Sequence, residues 1–214
     1  MKIAPFMTLP YALERDPPPF EANAVKYPES LVRHFLKNFT KRGDKVFDPF
    51  AGLGTTLFVA EDMGRIPFGI EADEKRHGWS AGQLKNWQHL VHGDTLKLSR
   101  HGFPKMDFCI ASPPYMPSGD QWNPLSGGNP AKAGYANYLK QLRAAYGQIS
   151  TVMKRNAPIV VVVDNVQKKN FTPLVRDMSV AISGVFTPIG ETIIAWDNGP
   201  AHYKHTHCLI FKNA

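Results

Sequence analysis

Asp48-Pro49-Phe50-Ala51-Gly52-Leu53-Gly54-Thr55-Thr56 reads as a strand end, a tight turn and a helix start in direct succession. The apolar pair Val46-Phe47 precedes it, and Thr55 to Met63 follows as a helix stopped by Gly64. Two closely spaced glycines let the backbone approach a ligand, and the helix start behind them favours an anionic group. A two-glycine turn alone is weak evidence. Here Glu71 closes the next apolar run, Ile66 to Ile70. A carboxylate there can take both ribose hydroxyls of a nucleoside cofactor.

Outward from this turn, apolar runs and amphipathic stretches alternate. Before it, a helix should begin near Pro28, with Leu31, Val32, Phe35, Leu36 and Phe39 on one face and an end at Lys41-Arg42-Gly43. After it come a helix from Asp73 to about Trp87, weakened by Gly78 and Gly82, a short strand at Leu90-Val91, and a strand from Asp107 to Ala111. Tyr138, Leu142, Tyr146, Ile149 and Met153 mark an amphipathic helix. Ile159 to Val163 is a continuous apolar run, as in a strand buried on both faces. Thr172-Pro173 starts a further helix. Thr192 to Trp196, the turn Asn198-Gly199-Pro200 and Cys208 to Phe211 read as a closing hairpin. The expected architecture is α/β: a mostly parallel sheet with an antiparallel terminal strand and helices on both faces. Ligands of such sheets bind at the carboxyl ends of the strands, which here carry Asp48, Glu71, Asp94, Ser112 and Asp164-Asn165.

The chain has 214 residues, 43% of them hydrophobic, which suits one core. The expected organisation is an irregular, Pro-rich arm over 1–26 and a single domain over 27–214, with no separate target-recognition domain. No apolar run approaches a membrane span, and the proline-broken, charged N-terminus does not read as a signal peptide. Cys109 and Cys208, the two cysteines, each lie in an apolar run and read as buried thiols in a reducing compartment, so a cytoplasmic location is expected. The net charge of +7 permits nucleic-acid binding without requiring it. His202, His205, His207 and Cys208 fit no common zinc spacing and read as strand residues, so no metal is expected. Residues 116–137, rich in Gly, Pro, Ser and Asn and containing Trp122 and Tyr135, read equally as a flexible substrate lid or as a surface loop. Lys168 and Lys169 read equally as phosphate contacts or as solvated loop.

Ser112-Pro113-Pro114-Tyr115 follows the strand Asp107 to Ala111 directly. Two prolines hold the backbone extended and remove two N–H donors. The groups left are acceptors, the Ser112 hydroxyl and the Pro113 carbonyl above all, and an exocyclic amine with two hydrogens suits such a rim. Tyr115 offers a flat face to a base, a contact worth ~1–3 kcal/mol.

Asp48–Thr56 together with Ser112–Tyr115 resembles the amino-methyltransferases that modify DNA at cytosine N4 or adenine N6. The resemblance implies a Rossmann-like fold dependent on S-adenosylmethionine (SAM), with an antiparallel last strand. Lys26-Tyr27-Pro28-Glu29-Ser30 is similar to the family motif flanking the methionine end of the cofactor, which adds Tyr27, Pro28 and Ser30 to the expected cofactor site. Asp48 and Phe50 would contact SAM, Gly52 and Gly54 would let the backbone close on it, and Thr55 and Thr56 would start the helix behind it. Glu71 would bind the ribose. Asp94 would take the adenine amine or serve as a plain turn aspartate. Ser112, Pro113, Pro114 and Tyr115 would form the catalytic motif, and serine at its head favours cytosine N4. The implied partner is nucleic acid, DNA first with RNA open. The oligomeric state, a homodimer included, stays open. A reading of another class is a catalytically silent nucleic-acid-binding subunit of a methyltransferase complex.

Overall fold

The computed structural model describes residues 3–22, 26–200 and 203–214. Eight strands form one sheet in the order β1-β9-β10-β6-β5-β2-β3-β4. Its centre is made by β2 (Lys45–Asp48), β5 (Phe108–Ala111) and β6 (Pro158–Val163), with β3 (Ile66–Glu71) and β4 (Leu90–His92) on one side. On the other lie β10 (His205–Lys212), β9 (Thr187–Asp197) and β1 (Phe6–Pro10). All neighbours are parallel except those of β10, which runs antiparallel to both β6 and β9. The expected α/β sheet with an antiparallel last strand is therefore present.

Both faces of the sheet are covered, and the strand period explains how. In β6, Val160 and Val162 join the cluster with Leu31, Val32, Phe35 and Leu36 of α1 (Glu29–Phe39) and Val59 and Ala60 of α2 (Thr55–Asp62). Their neighbours Ile159, Val161 and Val163 point the other way, to Tyr138, Leu142, Tyr146 and Ile149 of α4 (Tyr135–Val152) and Met178 and Ile182 of α5 (Leu174–Ser183). A strand buried on both faces needs no polar alternation, which is why Ile159 to Val163 is uniformly apolar. Cys109 and Cys208 are both free and buried.

Several expectations need correction. The arm is not irregular throughout: Phe6–Pro10 pairs in parallel with Ile193–Asp197 as an edge strand. Its alternation of exposed and half-buried residues is real but short, and its partner lies at the far end of the sequence. The helix α3 spans only Glu74–Ala81, because Gly82 ends it and a separate 3₁₀ turn follows at Trp87–His89. Thr172 does not cap α5. It belongs to a small hairpin of β7 (Val166–Gln167) and β8 (Phe171–Thr172), and Pro173 stands at the helix start. Tyr135 opens α4 rather than ending the preceding loop. His202 lies outside the described residues. Among the described residues no helix is long and apolar enough to cross a membrane, and no cluster of His, Cys, Asp or Glu could hold a metal.

Candidate cofactor and target-amine site

The strand order reverses between β2 and β5: the chain runs outward through β3 and β4, then returns to the other side of β2. A cavity of about 960 Å³ opens there, at the carboxyl ends of the strands. Tyr27, Phe50, Gly52, Thr55, Glu71, Asp94, Ser112, Pro113, Pro114 and Tyr115 all line it. The sequence-expected turn and acceptor motif thus share one cavity.

The glycine turn is shaped for a close ligand. Gly52 and Gly54 have φ of +54° and +78°, and Gly54 stands at the start of α2. A Cβ on Gly54 would meet the Phe58 ring at 2.8 Å and Ser80 Oγ at 3.1 Å. The Gly52 amide donates to Glu71 Oε2 at 2.6 Å, and the Asp73 amide donates to Glu71 Oε1 at 2.7 Å. Glu71 is 7% exposed, so these two bonds hold its carboxylate at the cavity wall against the cost of burial.

Asp48 stands behind the wall. Its Oδ1 accepts from the Phe50 amide at 3.0 Å and its Oδ2 from the Tyr27 hydroxyl at 3.2 Å. The Tyr27 hydroxyl also bonds Thr56 Oγ1 at 2.7 Å. Burial pushes the Asp48 carboxyl up to about 6, while its hydrogen bonds pull it down and Glu71 adds to the rise. Asp48, Gly54 and Thr56 therefore shape the turn from beneath, whereas Phe50, Gly52 and Thr55 face the cavity. Pro28 and Ser30 do not reach it. The Ser30 hydroxyl donates to the Pro10 carbonyl at 2.7 Å, which ties α1 to the arm. Asp94 caps a 3₁₀ turn by accepting from the Leu96 amide at 2.9 Å, and it also lines the cavity.

At the acceptor motif, Pro113 is buried and Ser112, Pro114 and Tyr115 are half-buried. The Tyr115 hydroxyl accepts from the Asp164 amide at 3.0 Å and makes a long bond to the Val162 carbonyl at 3.4 Å. Those bonds fix the ring against the end of β6. The Tyr138 hydroxyl donates to the Pro114 carbonyl at 3.0 Å. With Pro114 so occupied, the Pro113 carbonyl and Ser112 Oγ remain as the acceptors of the rim. Ser112 has one long contact, to the Tyr115 hydroxyl at 3.4 Å.

Other cavity residues carried little sequence signal. Glu21 and Lys26 of the arm and Arg76 of α3 lie at one side, with an ion pair joining Arg76 to Glu21. Lys26 pairs with the fully buried Glu29 at 2.8 Å. Trp122, Leu125, Lys132 and Gln141 form part of the opposite wall. Asp164, also at the cavity, accepts from the Thr206 hydroxyl at 2.9 Å and from the His207 amide at 3.2 Å, and burial raises its pKa. Only the position of Asp164 at a strand end pointed to it. Pairs such as Glu21 and Arg76 have no local pattern.

This fold is that of the SAM-dependent methyltransferases. The structure of TrmN from Thermus thermophilus superposes on 87% of this chain and 49% of its own, with a TM-score of 0.59 and 17% identity. The N-methyltransferase NodS from Bradyrhizobium japonicum, solved with S-adenosyl-L-homocysteine, gives a TM-score of 0.56 at 11% identity, covering 86% of this chain and 85% of its own.

In sequence, residues 12–80 match the DNA methylase family model N6_N4_Mtase. The Type II methyltransferase M.MjaI of Methanocaldococcus jannaschii is 37% identical over 57 residues, 27% of this chain and 19% of that protein. M.HinfI of Haemophilus influenzae, also a Type II methyltransferase, is 42% identical over 55 residues, 26% of this chain and 15% of its own length. The match to the DNA methylase model is thus confined to the first part of the chain, and the matched stretch takes in less than a fifth of either relative.

Proposed function

We propose that this chain transfers a methyl group from SAM to the exocyclic amine of a nucleic-acid base, with N4 of cytosine in DNA as the target. The observation that carries this reading is the shared cavity: a glycine turn and a ribose-ready carboxylate on one side, an acceptor-only rim on the other. The matches to DNA methylases support DNA as the substrate, and serine at position 112 supports cytosine.

The cofactor side fits the group on its own terms. Gly52 lines the cavity, and among the described residues only the Phe50 carbonyl, at 3.9 Å, lies near a Cβ added there, so its bare backbone leaves room for a ligand against the turn. Glu71 would accept from ribose hydroxyls, and Asp94 would accept from an adenine amine. Phe50 and Tyr27 line the remainder of that wall. When bound, SAM supplies an electrophilic methyl on a sulfonium.

The protein's task at the target is to make a poor nucleophile better. The lone pair of an aryl amine is delocalised into the ring. Acceptance of its two hydrogens by Ser112 Oγ and the Pro113 carbonyl favours a pyramidal nitrogen with a localised pair. Orientation and these fixed acceptors are the main sources of acceleration. The proline pair matters because neither residue offers an N–H to compete for the amine. The base must leave its stack to reach the rim, or be unpaired already.

Incubation with SAM and separate duplex DNA, single-stranded DNA and RNA, followed by nucleoside mass spectrometry, tests the reading. N4-methylcytosine in DNA is expected. N6-methyladenine would overturn the choice of base, methylation confined to RNA would overturn the choice of polymer, and no methylation would favour a silent binding subunit.

A further inference from the structure

Trp122 is 64% exposed, yet it lines the same cavity as Ser112–Tyr115. Exposure of a single indole is ordinary; what sets Trp122 apart is its place at the cavity and the bonding that holds its segment there. Its surroundings hold it there. Asn123, next in the chain, is completely buried. The Asn123 side chain donates to the Lys132 carbonyl at 2.8 Å and to Gln141 Oε1 of α4 at 2.6 Å, and accepts from the Leu125 amide at 3.0 Å. Gly134 donates its amide to the Gln121 carbonyl at 3.0 Å, closing the loop on itself. The Ser118 amide donates to Thr172 Oγ1 at 2.9 Å, which ties the loop to the β7–β8 hairpin. These bonds carry Trp122 on a built platform.

Gly128 has φ of +78°, and a Cβ there would lie 2.5 Å from Trp122 Nε1 and 2.8 Å from its Cδ1. The indole thus lies directly against a backbone position that has no side chain. Lys132 lines the same wall, and Lys168, 64% exposed at its side chain, reaches Asp120 of this loop only at 3.7 Å. An exposed, preset aromatic ring suits an unpaired base, and Lys132 at the same cavity suits its phosphate.

We propose that Trp122 stacks on an unpaired base adjacent to the target base, so that this chain takes single-stranded DNA in preference to duplex. This inference rests on the methyl-transfer reading for the identity of the neighbouring target, but its own readout is binding. Successive bases in a strand are covalently linked and stack on aromatic faces whatever their sequence. Tyr115 meets the target, and Trp122, at the mouth, meets the neighbour. In a duplex that neighbour is paired and stacked, and its face is unavailable to an indole.

The test is fluorescence anisotropy of a labelled single-stranded oligonucleotide and its duplex, with the full chain saturated with S-adenosylhomocysteine. Expected are tighter binding of the single strand and a loss of about tenfold or more in that affinity for Trp122→Ala. Trp122→Phe should recover most of it, and Gly128→Ala, which displaces the ring without removing it, should weaken it too. S-adenosylhomocysteine affinity should be the same in all four proteins. Equal single-strand affinity in wild type and Trp122→Ala, or a wild type that prefers the duplex, overturns the proposal. Methylation of duplex DNA with no effect of Trp122→Ala would leave the methyl-transfer reading standing alone. Trp122-dependent single-strand binding without any methylation would do the reverse.

Discussion

Single side chains at this site are set by what already occupies their neighbours. Tyr138 takes the Pro114 carbonyl, and among the described residues Ser112 Oγ has one long contact, to the Tyr115 hydroxyl. Ser112→Ala should therefore reduce turnover by about tenfold to a hundredfold, the worth of one aimed hydrogen bond in the transition state. SAM affinity should not change, since Ser112 stands on the target side. Single-turnover kinetics with a parallel SAM titration separate the two, and an unaltered rate would remove Ser112 from the mechanism. Asp48 makes a different prediction. Its folded pKa of about 6 exceeds the ordinary 3.8, so the folded chain holds this proton more tightly than the unfolded one. Stability is favoured while the proton is on and falls as pH rises from about 4 to about 6, by at most roughly 3 kcal/mol for a shift of that size. Asp48→Asn keeps an acceptor for the Phe50 amide and carries no charge, and Tyr27 can turn its donor to Thr56. The variant should match the wild type near pH 4 and exceed it in stability at pH 7. Urea denaturation at the two pH values checks this, and a variant with the wild-type pH dependence would refute the assignment.

At the scale of elements, the legible parts of the sequence were those whose signal is local. The strand-turn-helix at β2–α2 announced itself because the apolar run, the two glycines and the helix start follow one another without a gap. β6 was legible because burial on both faces leaves no polar residue. β1 was not, because an edge strand of five residues is stabilised by β9, far away in sequence, and by the Thr192 hydroxyl donating to the Ala4 carbonyl at 2.7 Å. α3 was over-extended for the opposite reason: helix-compatible residues continue past Gly82, but the chain must turn there to lay down Leu90 beside Gly69. Gly43, in the turn between α1 and β2, and Gly54, in the turn between β2 and α2, give a controlled comparison of two glycines. Gly43 has φ of +83° with nothing within 4 Å of an added Cβ, whereas Gly54 has φ of +78° and a contact at 2.8 Å. Gly43→Ala should cost about 1 kcal/mol of backbone strain and leave SAM binding alone. Gly54→Ala should cost about 1–3 kcal/mol more, because the Phe58 ring must move, and should weaken SAM binding. Thermal melts and SAM titration of both variants measure the difference, and equal losses would show that the collision is absorbed.

Across the whole molecule, the candidate site is assembled from segments that the sequence could order but not bring together. Asp48, Glu71, Asp94 and Ser112 were legible because each ends an apolar run and a parallel sheet aligns such ends. Glu21, Arg76 and Lys132 were not, because each enters the cavity through a contact made only on folding. Ser30 was expected at the cofactor and instead ties α1 to the arm, since its hydroxyl meets Pro10 first. The arm nevertheless reaches the site by another route. It is fixed at one end by β1 on β9, and it returns at Tyr27, whose hydroxyl is bonded to Asp48 and Thr56. Between these anchors Glu21 pairs with Arg76 at the cavity, 55 residues further along the chain. A partly exposed pair of this kind contributes ~0–1 kcal/mol to stability, so its loss should scarcely alter the melting temperature. Its position gives it a larger effect on the bound cofactor, because it holds the arm as one wall of the cavity. Glu21→Gln should therefore raise the SAM dissociation rate a few-fold, about 1 kcal/mol or less of lost closure, with folding stability unchanged. The same loss should appear in the wild type at high salt and be absent from the variant, since salt screens only the ion pair. Stopped-flow displacement of SAM at low and high ionic strength measures both effects. A variant with wild-type dissociation at low salt would show that the arm is held by β1 and Tyr27 alone.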